Sequence, residues 1–272
     1  MTPQAIGDIA DALLAAECNA SMLAPITATH PDFDVDAAYA VLAAIGRRRR
    51  AAGWEPVGRK IGFTNRTIWP RYGVDRPMWA PTWRQTVHHA VDGRARIPVA
   101  RYVQPRIEPE VVFGVAGPMP VTDDPDAILQ AVAWVAAGFE IVQSHFPDWK
   151  FKVPDCTASF GLHAALVVGT PVRVTEANRS ALVRMLPAFE LTLHKNGQVI
   201  ERGVGANVLG SPALAMAHLA RLLATQPDAP PLVAGEIVTT GTITDAWPVA
   251  PGDVFRSDYG TLGVPGLLLT LF

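Results

Sequence analysis

A chain of 272 residues, 49% of them apolar, carries enough material for a sizeable buried core. Its 23 basic and 25 acidic side chains nearly cancel, which leaves no electrostatic case for nucleic acid or an anionic membrane surface. The two cysteines, Cys18 and Cys156, lie far apart without metal-type spacing, which argues against a disulfide framework and fits a reducing, cytoplasmic setting.

No apolar run approaches the roughly 18–20 residues of a membrane span. The start, Met1-Thr2-Pro3-Gln4, has neither the basic residues nor the apolar stretch of a secretory leader. Residues 3–20 place Ile6, Ile9, Leu13 and Leu14 at helical spacing. A second helix is predicted over 34–52, with Asp34 as N-cap and Gly53 just past its end. Arg47 to Arg50 close that helix, where cations complement the dipole. Val57 to Phe63 then reads as a strand.

Residues 64–100, rich in Pro, Trp and Arg, predict a long irregular connection of the kind that can serve as a lid. Ile107–Val115 reads as a strand, Pro125–Ala137 as a helix stopped by Gly138, and Phe139–Val142 as the next strand, in a parallel crossover. Asn196-Gly197 between two apolar runs predicts a hairpin, because both turn positions need positive φ. Ser211-Pro212 starts a helix to about Ala224, and strands and turns alternate from Glu236 to Leu271. The class is α+β: a helical part over 1–55, then a β-rich body over 56–272 with two inserted helices, all in one domain.

The most informative stretch is Arg106-Ile107-Glu108-Pro109-Glu110. On a strand Glu108 and Glu110 project to one face, and like charges so close repel unless a cation or proton lies between them. Alone, the pair reads as surface glutamates. Glu140, set among Phe139, Ile141 and Val142, shifts the reading, because an acidic group in so apolar a run is expected to be paired or metal-bound. Three carboxylates without Cys or paired His select a hard cation, Mg²⁺ or Mn²⁺. The adjacent His88-His89 make a poor metal pair.

These residues have a familiar order. Gly58-Arg59-Lys60-Ile61-Gly62-Phe63-Thr64-Asn65, Gly73-Val74-Asp75-Arg76-Pro77, Gln104 to Glu110, Phe139 to Val142, Asp148-Trp149, Asp155, Gly235 to Gly241 and Pro251-Gly252-Asp253 make up the pattern. The chain resembles the 2-keto-4-pentenoate hydratase / 2-oxohepta-4-ene-1,7-dioate hydratase / 4-oxalocrotonate decarboxylase group of the fumarylacetoacetate hydrolase superfamily. The resemblance implies a mixed β-roll or barrel, a homo-oligomer, and Mg²⁺ or Mn²⁺ held by Glu108, Glu110 and Glu140. It also implies Lys60 as the active-site lysine, in a lyase that adds water to a 2-hydroxy-2,4-dienoate in catabolism of aromatic or small 2-oxo acids. A lysine beside the ion would have its charged form disfavoured and so serve as acid and base.

The chain departs from that pattern in two places. Met78 stands where the hydratases carry an acidic residue, and Ser159-Phe160-Gly161-Leu162 replaces their polar run. The changes predict a drier pocket for a bulkier or less charged tail, walled by Met78, Trp79, Phe160 and Leu162. Asp155 is expected to position Lys60 or a water. His145 and His163 are candidate substitutes for the missing acid or base. Thr240, Gly241 and Thr242 are candidate substrate contacts. The alternatives are a decarboxylase or C–C hydrolase of a 2-oxo acid, or a catalytically silent partner subunit. His30 with Asp32 and Asp34 forms no convincing hydrolytic pair, and a silent subunit has no reason to keep a costly cluster of like charges.

Overall fold

The structure is a computed structural model that describes residues 1–66, 69, 74, 76–226 and 228–272. Gly73 and Asp75 of the resemblance, and with them part of the connection over 64–100, lie outside the described residues. Helix α1 (Pro3–Cys18) is capped by Thr2 and α3 (Val35–Ala51) by Asp34, with the short α2 (Ile26–Thr29) between them. Gly53 takes φ 81°, as the end of a helix requires. Leu13, Val41 and Ile45 form a small core with Phe146 and Phe160, so the helical part is anchored on the body. Of the four arginines, Arg48 pairs with Asp11 and Arg49 with Glu17, both at 2.6 Å, tying α3 to α1. Among the described residues no helix is long and apolar enough to cross a membrane.

Two sheets form the body. Strands β1 (Pro56–Gly62), β2 (Met78–Trp83), β3 (Val87–His89), β5 (Arg106–Val115), β6 (Val132–Val142), β7 (His163–Val168) and β11 (Ile237–Thr242) run in the order β2-β1-β11-β5-β6-β7-β3. The short β8 (Val172–Arg173) pairs with β6, and β12 (Trp247–Pro248) with β5. The smaller sheet has the order β10-β9-β13-β14-β4, from β4 (Arg94–Ile97), β9 (Glu190–Lys195), β10 (Gln198–Val204), β13 (Val254–Asp258) and β14 (Leu268–Leu271). The main core joins Ile107 and Val111 of β5 to Leu191 and Leu193 of β9 and to Met216 and Leu219 of a helix over Pro212–Ala224. The mixed, curled α+β architecture agrees with the expected class.

Three expectations need correction. Residues 64–100 contain β2, β3 and β4. β2 hides its proline by lying at the sheet edge, where Pro81 opposes Arg59 without breaking an inner ladder. The helix predicted to Ala137 stops at Gln130, and Val132–Val142 is a central strand between β5 and β7. Its alanines suit a helix, but burial within the sheet overrides that propensity. β5 and β6 are therefore antiparallel, with no crossover. The helices inserted in the body also exceed two: Val153–Ala158 and Glu176–Ala188 were not expected, the second being polar-rich with Pro187 in its last turn.

Candidate active site

The antiparallel register sets Glu108 directly opposite Glu140 and Glu110 opposite Gly138. All three carboxylates share one sheet face, while Ile107 and Val111 pack into the core on the other. One oxygen from each of Glu108, Glu110 and Glu140 lies within 4.8 Å of the others. Glu110 and Glu140 are buried and Glu108 is half-buried. The Gly241 amide donates to Glu110 Oε2 at 2.7 Å, but the buried Glu110 Oε1 has no protein partner. Such an orphaned oxygen costs about 1–3 kcal/mol unless a proton donor or a cation satisfies it. An all-oxygen set with a spare buried acceptor fits a hard divalent cation.

Lys60, on β1, reaches the same place. Its Nζ donates to Glu140 Oε2 at 2.9 Å. The other oxygen of Glu140 accepts from His163 Nδ1 at 2.7 Å, and His163 Nε2 meets Thr86 Oγ1 at 2.8 Å. Burial alone would raise the Glu140 carboxyl, but Lys60 and His163 outweigh it and hold the group at about 2. Glu108 is pushed up to about 7 by burial, opposed by Lys60 and reinforced by Glu140. Glu110 is raised well above the carboxylate range by burial and by its two carboxylate neighbours. Burial lowers Lys60, but Glu140, Glu108 and Glu110 outweigh it and leave the amine above its ordinary value. The protein groups by themselves thus favour the ammonium; the expected depression rests on the charge of a cation.

A cavity of about 110 Å³ opens over these groups. Met78, Leu162, Gly241 and Thr242, four of the candidate substrate contacts, line it. Other expected contacts lie elsewhere. Trp79 alternates to the opposite face of β2 from Met78, where it stacks on Tyr39 and donates to Gln226. The Thr240 hydroxyl donates to the Val111 carbonyl at 2.8 Å. His145 is fully buried against Ser159 and Phe160 and does not reach the cavity. Asp155 does not reach Lys60: its carboxylate accepts from the Thr27 amide and hydroxyl and from the Lys152 amide, each at 2.8 Å, a clamp on the N-terminal segment.

Sequence reading missed Thr64, Arg106 and Cys156, which also line the cavity. Thr64 Oγ1 is buried without a partner. Position i−2 from Glu108 was the available signal for Arg106. Thr64 stands in the Gly58-to-Asn65 motif, which was the signal for it, and nothing local marks Cys156.

A curled mixed sheet carrying a buried carboxylate triad beside a lysine is a candidate metal site, and comparison identifies the family that carries it. Residues 75–265 match the fumarylacetoacetate (FAA) hydrolase C-terminal family. A 2-keto-4-pentenoate hydratase of Paraburkholderia xenovorans (strain LB400) is 34% identical over 97% of this chain and 94% of its own length. A 4-oxalocrotonate decarboxylase of a Pseudomonas species is 34% identical over 78% and 77%. The solved 4-oxalocrotonate decarboxylase from Pseudomonas putida G7, complexed with magnesium and adipate, superposes with a TM-score of 0.89 at 26% identity, covering 100% of this chain and 99% of that one. The chain belongs to the FAA hydrolase family, and within it to the enzyme group that holds these hydratases and decarboxylases.

Proposed function

We propose that the chain is a divalent-metal-dependent lyase that adds water to a 2-hydroxy-2,4-dienoate, with Mg²⁺ or Mn²⁺ held by Glu108, Glu110 and Glu140. The observation that carries the reading is the Lys60–Glu140 pair inside a buried triad whose Glu110 Oε1 lacks a partner. When bound, the cation supplies Lewis-acid stabilisation of negative charge on the substrate's 2-oxygen.

The remaining work falls to side chains. Glu140, fixed from its far side by His163, holds Lys60 Nζ at the cavity. Lys60 delivers a proton to the terminal carbon of the diene and takes back the proton that the 2-hydroxyl loses, giving a conjugated 2-oxo-3-enoate and restoring the ammonium. Water then adds its oxygen to the β-carbon of that enone while its proton ends on the α-carbon, so atoms balance without a redox partner. Met78 and Leu162, apolar walls of the cavity that Lys60 also lines, limit the bulk water that competes for that proton.

The fold similarity to a decarboxylase favours a second reading at the same site, in which loss of carbon dioxide generates the dienolate. Ultraviolet-monitored turnover of 2-hydroxypenta-2,4-dienoate and 4-oxalocrotonate, with Mg²⁺, Mn²⁺ or EDTA, separates the two. Metal-dependent gain of water supports the hydratase and release of carbon dioxide the decarboxylase. A chain that binds no metal and turns over neither would be a silent partner subunit.

A further inference from the structure

Arg106 is the one cation of the cavity wall, besides Lys60, among the described residues. It precedes Glu108 by two positions on β5 and so shares its face. Its guanidinium carbon lies 4.2 Å from the centre of the Trp149 ring, and Trp149 lines the same cavity. No carboxylate of the described residues lies within 4 Å of it, so it is not simply the ion-pair partner of Glu108.

The platform beneath this guanidinium is built at some cost. Trp149 Nε1 donates to the Gln104 carbonyl at 3.0 Å, and the Asp148 amide donates to Gln104 Oε1 at 2.9 Å. Gln104 Nε2 in turn donates to the carbonyls of Ser144 and Phe146 at 2.9 and 2.8 Å. Gln104, Asp148 and Trp149 hold φ of 48°, 55° and 58°, left-handed conformations that non-glycine residues rarely adopt and that cluster at ligand clamps. A guanidinium stacked on an indole keeps its planar edge of donors free, and that edge matches the two oxygens of a carboxylate.

We propose that Arg106, braced on Trp149, is a specificity-determining residue that binds a carboxylate of the substrate. The proposal rests on the 2-oxo-acid reading above and names a protein contact for the acid beyond the metal ligands. Arg106 lies two residues from Glu108 on the same face of β5, and so beside the carboxylate triad where the acid end of a 2-oxo acid would sit. The expected ligand is therefore the 1-carboxylate of a monocarboxylic 2-oxo acid. A distal carboxylate on a dicarboxylic substrate would use the same chemistry.

Calorimetric binding to the Mg²⁺-loaded protein distinguishes these sources, using 2-oxopentanoate, 2-oxoadipate and the neutral 2-oxopentanamide. Arg106→Gln is expected to weaken both acids about 10- to 100-fold, the loss of a charge-assisted hydrogen bond, and to leave the amide unchanged. Arg106→Lys should recover only part, because an ammonium offers no fork. Mn²⁺ affinity read by electron paramagnetic resonance should change less than about 3-fold in both variants, which separates this contact from the metal site. Weakening of 2-oxoadipate alone would assign the distal carboxylate. Equal affinity of wild type and Arg106→Gln for both acids would overturn the proposal. Failure of the wild type to bind either acid would instead sink the 2-oxo-acid reading beneath it.

Discussion

Lys60→Met tests the electrostatic design of the site. Methionine keeps most of the stem and removes the charge. Lys60 is 4% exposed and its 2.9 Å partner Glu140 is fully buried, so the substitution strands a carboxylate supported only by His163. Breaking a buried pair from one side costs about 3–5 kcal/mol. At roughly 2–4 °C per kcal/mol for a domain near this size, the melting temperature in EDTA should fall by on the order of 10 °C. A divalent cation replaces the lost positive charge, so adding Mg²⁺ should raise the melting temperature of the variant more than that of the wild type. Turnover should drop at least about 100-fold with metal present, the scale of a missing general acid. Differential scanning calorimetry with and without Mg²⁺ measures both stability effects. A variant as stable as the wild type in EDTA, with no larger metal shift, would refute the reasoning.

Glu108→Gln removes the charge of a proposed ligand at nearly constant volume from the most exposed of the three carboxylates; Mg²⁺ affinity and metal-dependent turnover should both collapse while circular dichroism stays native, and ordinary metal dependence would show the triad to be misassigned. Of the two free thiols, exposed Cys18 should react quickly with Ellman's reagent at pH 8, whereas Cys156, its thiol pushed up to about 12 by burial, should react only on unfolding. Burial lowers the pKa of His145 below its unfolded value of about 6.5. The unfolded chain therefore binds the extra proton, and the stability this neutral histidine contributes is full above about pH 6.5 and lost as the pH falls toward the folded value. One such proton carries at most about 1.4 kcal/mol per pH unit, and urea melts of His145→Gln should show a correspondingly flatter pH dependence than the wild type below pH 6.5.

Local signals were legible where chemistry is local. The cap at Asp34, the Asn196-Gly197 turn (φ 52° and 83°) and the Ser211-Pro212 helix start all appear as read. The triad was legible because i, i+2 spacing on a strand and an acid in an apolar run are both sequence properties. The direction of β6 was not. Ala131 to Ala137 favours a helix in isolation, and only neighbours distant in sequence make it a strand. The same limit explains Asp155 and Trp79. Asp155 is spent on Thr27, 128 residues away, and the face that Trp79 takes follows from β2 pairing with β1, which no local pattern announces.

The geometry of the site also says what the sheet must do. Two strands, β11 and β5, separate Lys60 on β1 from Glu140 on β6. At about 4.8 Å per strand, a flat sheet would hold the two backbones some 14 Å apart with parallel side chains that never meet. Their 2.9 Å contact therefore requires the sheet to curl toward the site. The register of β11 on β5 shifts between Thr239 and Thr242, the kind of irregularity that bends a strand. Gly241 sits there at φ 96°, its amide turned to Glu110, and a Cβ on it would lie 1.8 Å from Thr64 Oγ1. Gly241→Ala should thus cost about 1–3 kcal/mol from backbone strain alone, and should also weaken Mg²⁺ binding by moving Glu110. Thermal unfolding and Mg²⁺ calorimetry on the same sample report the two effects. A loss of stability with unchanged metal affinity would mean that the bulge bends the sheet without aiming the ligand.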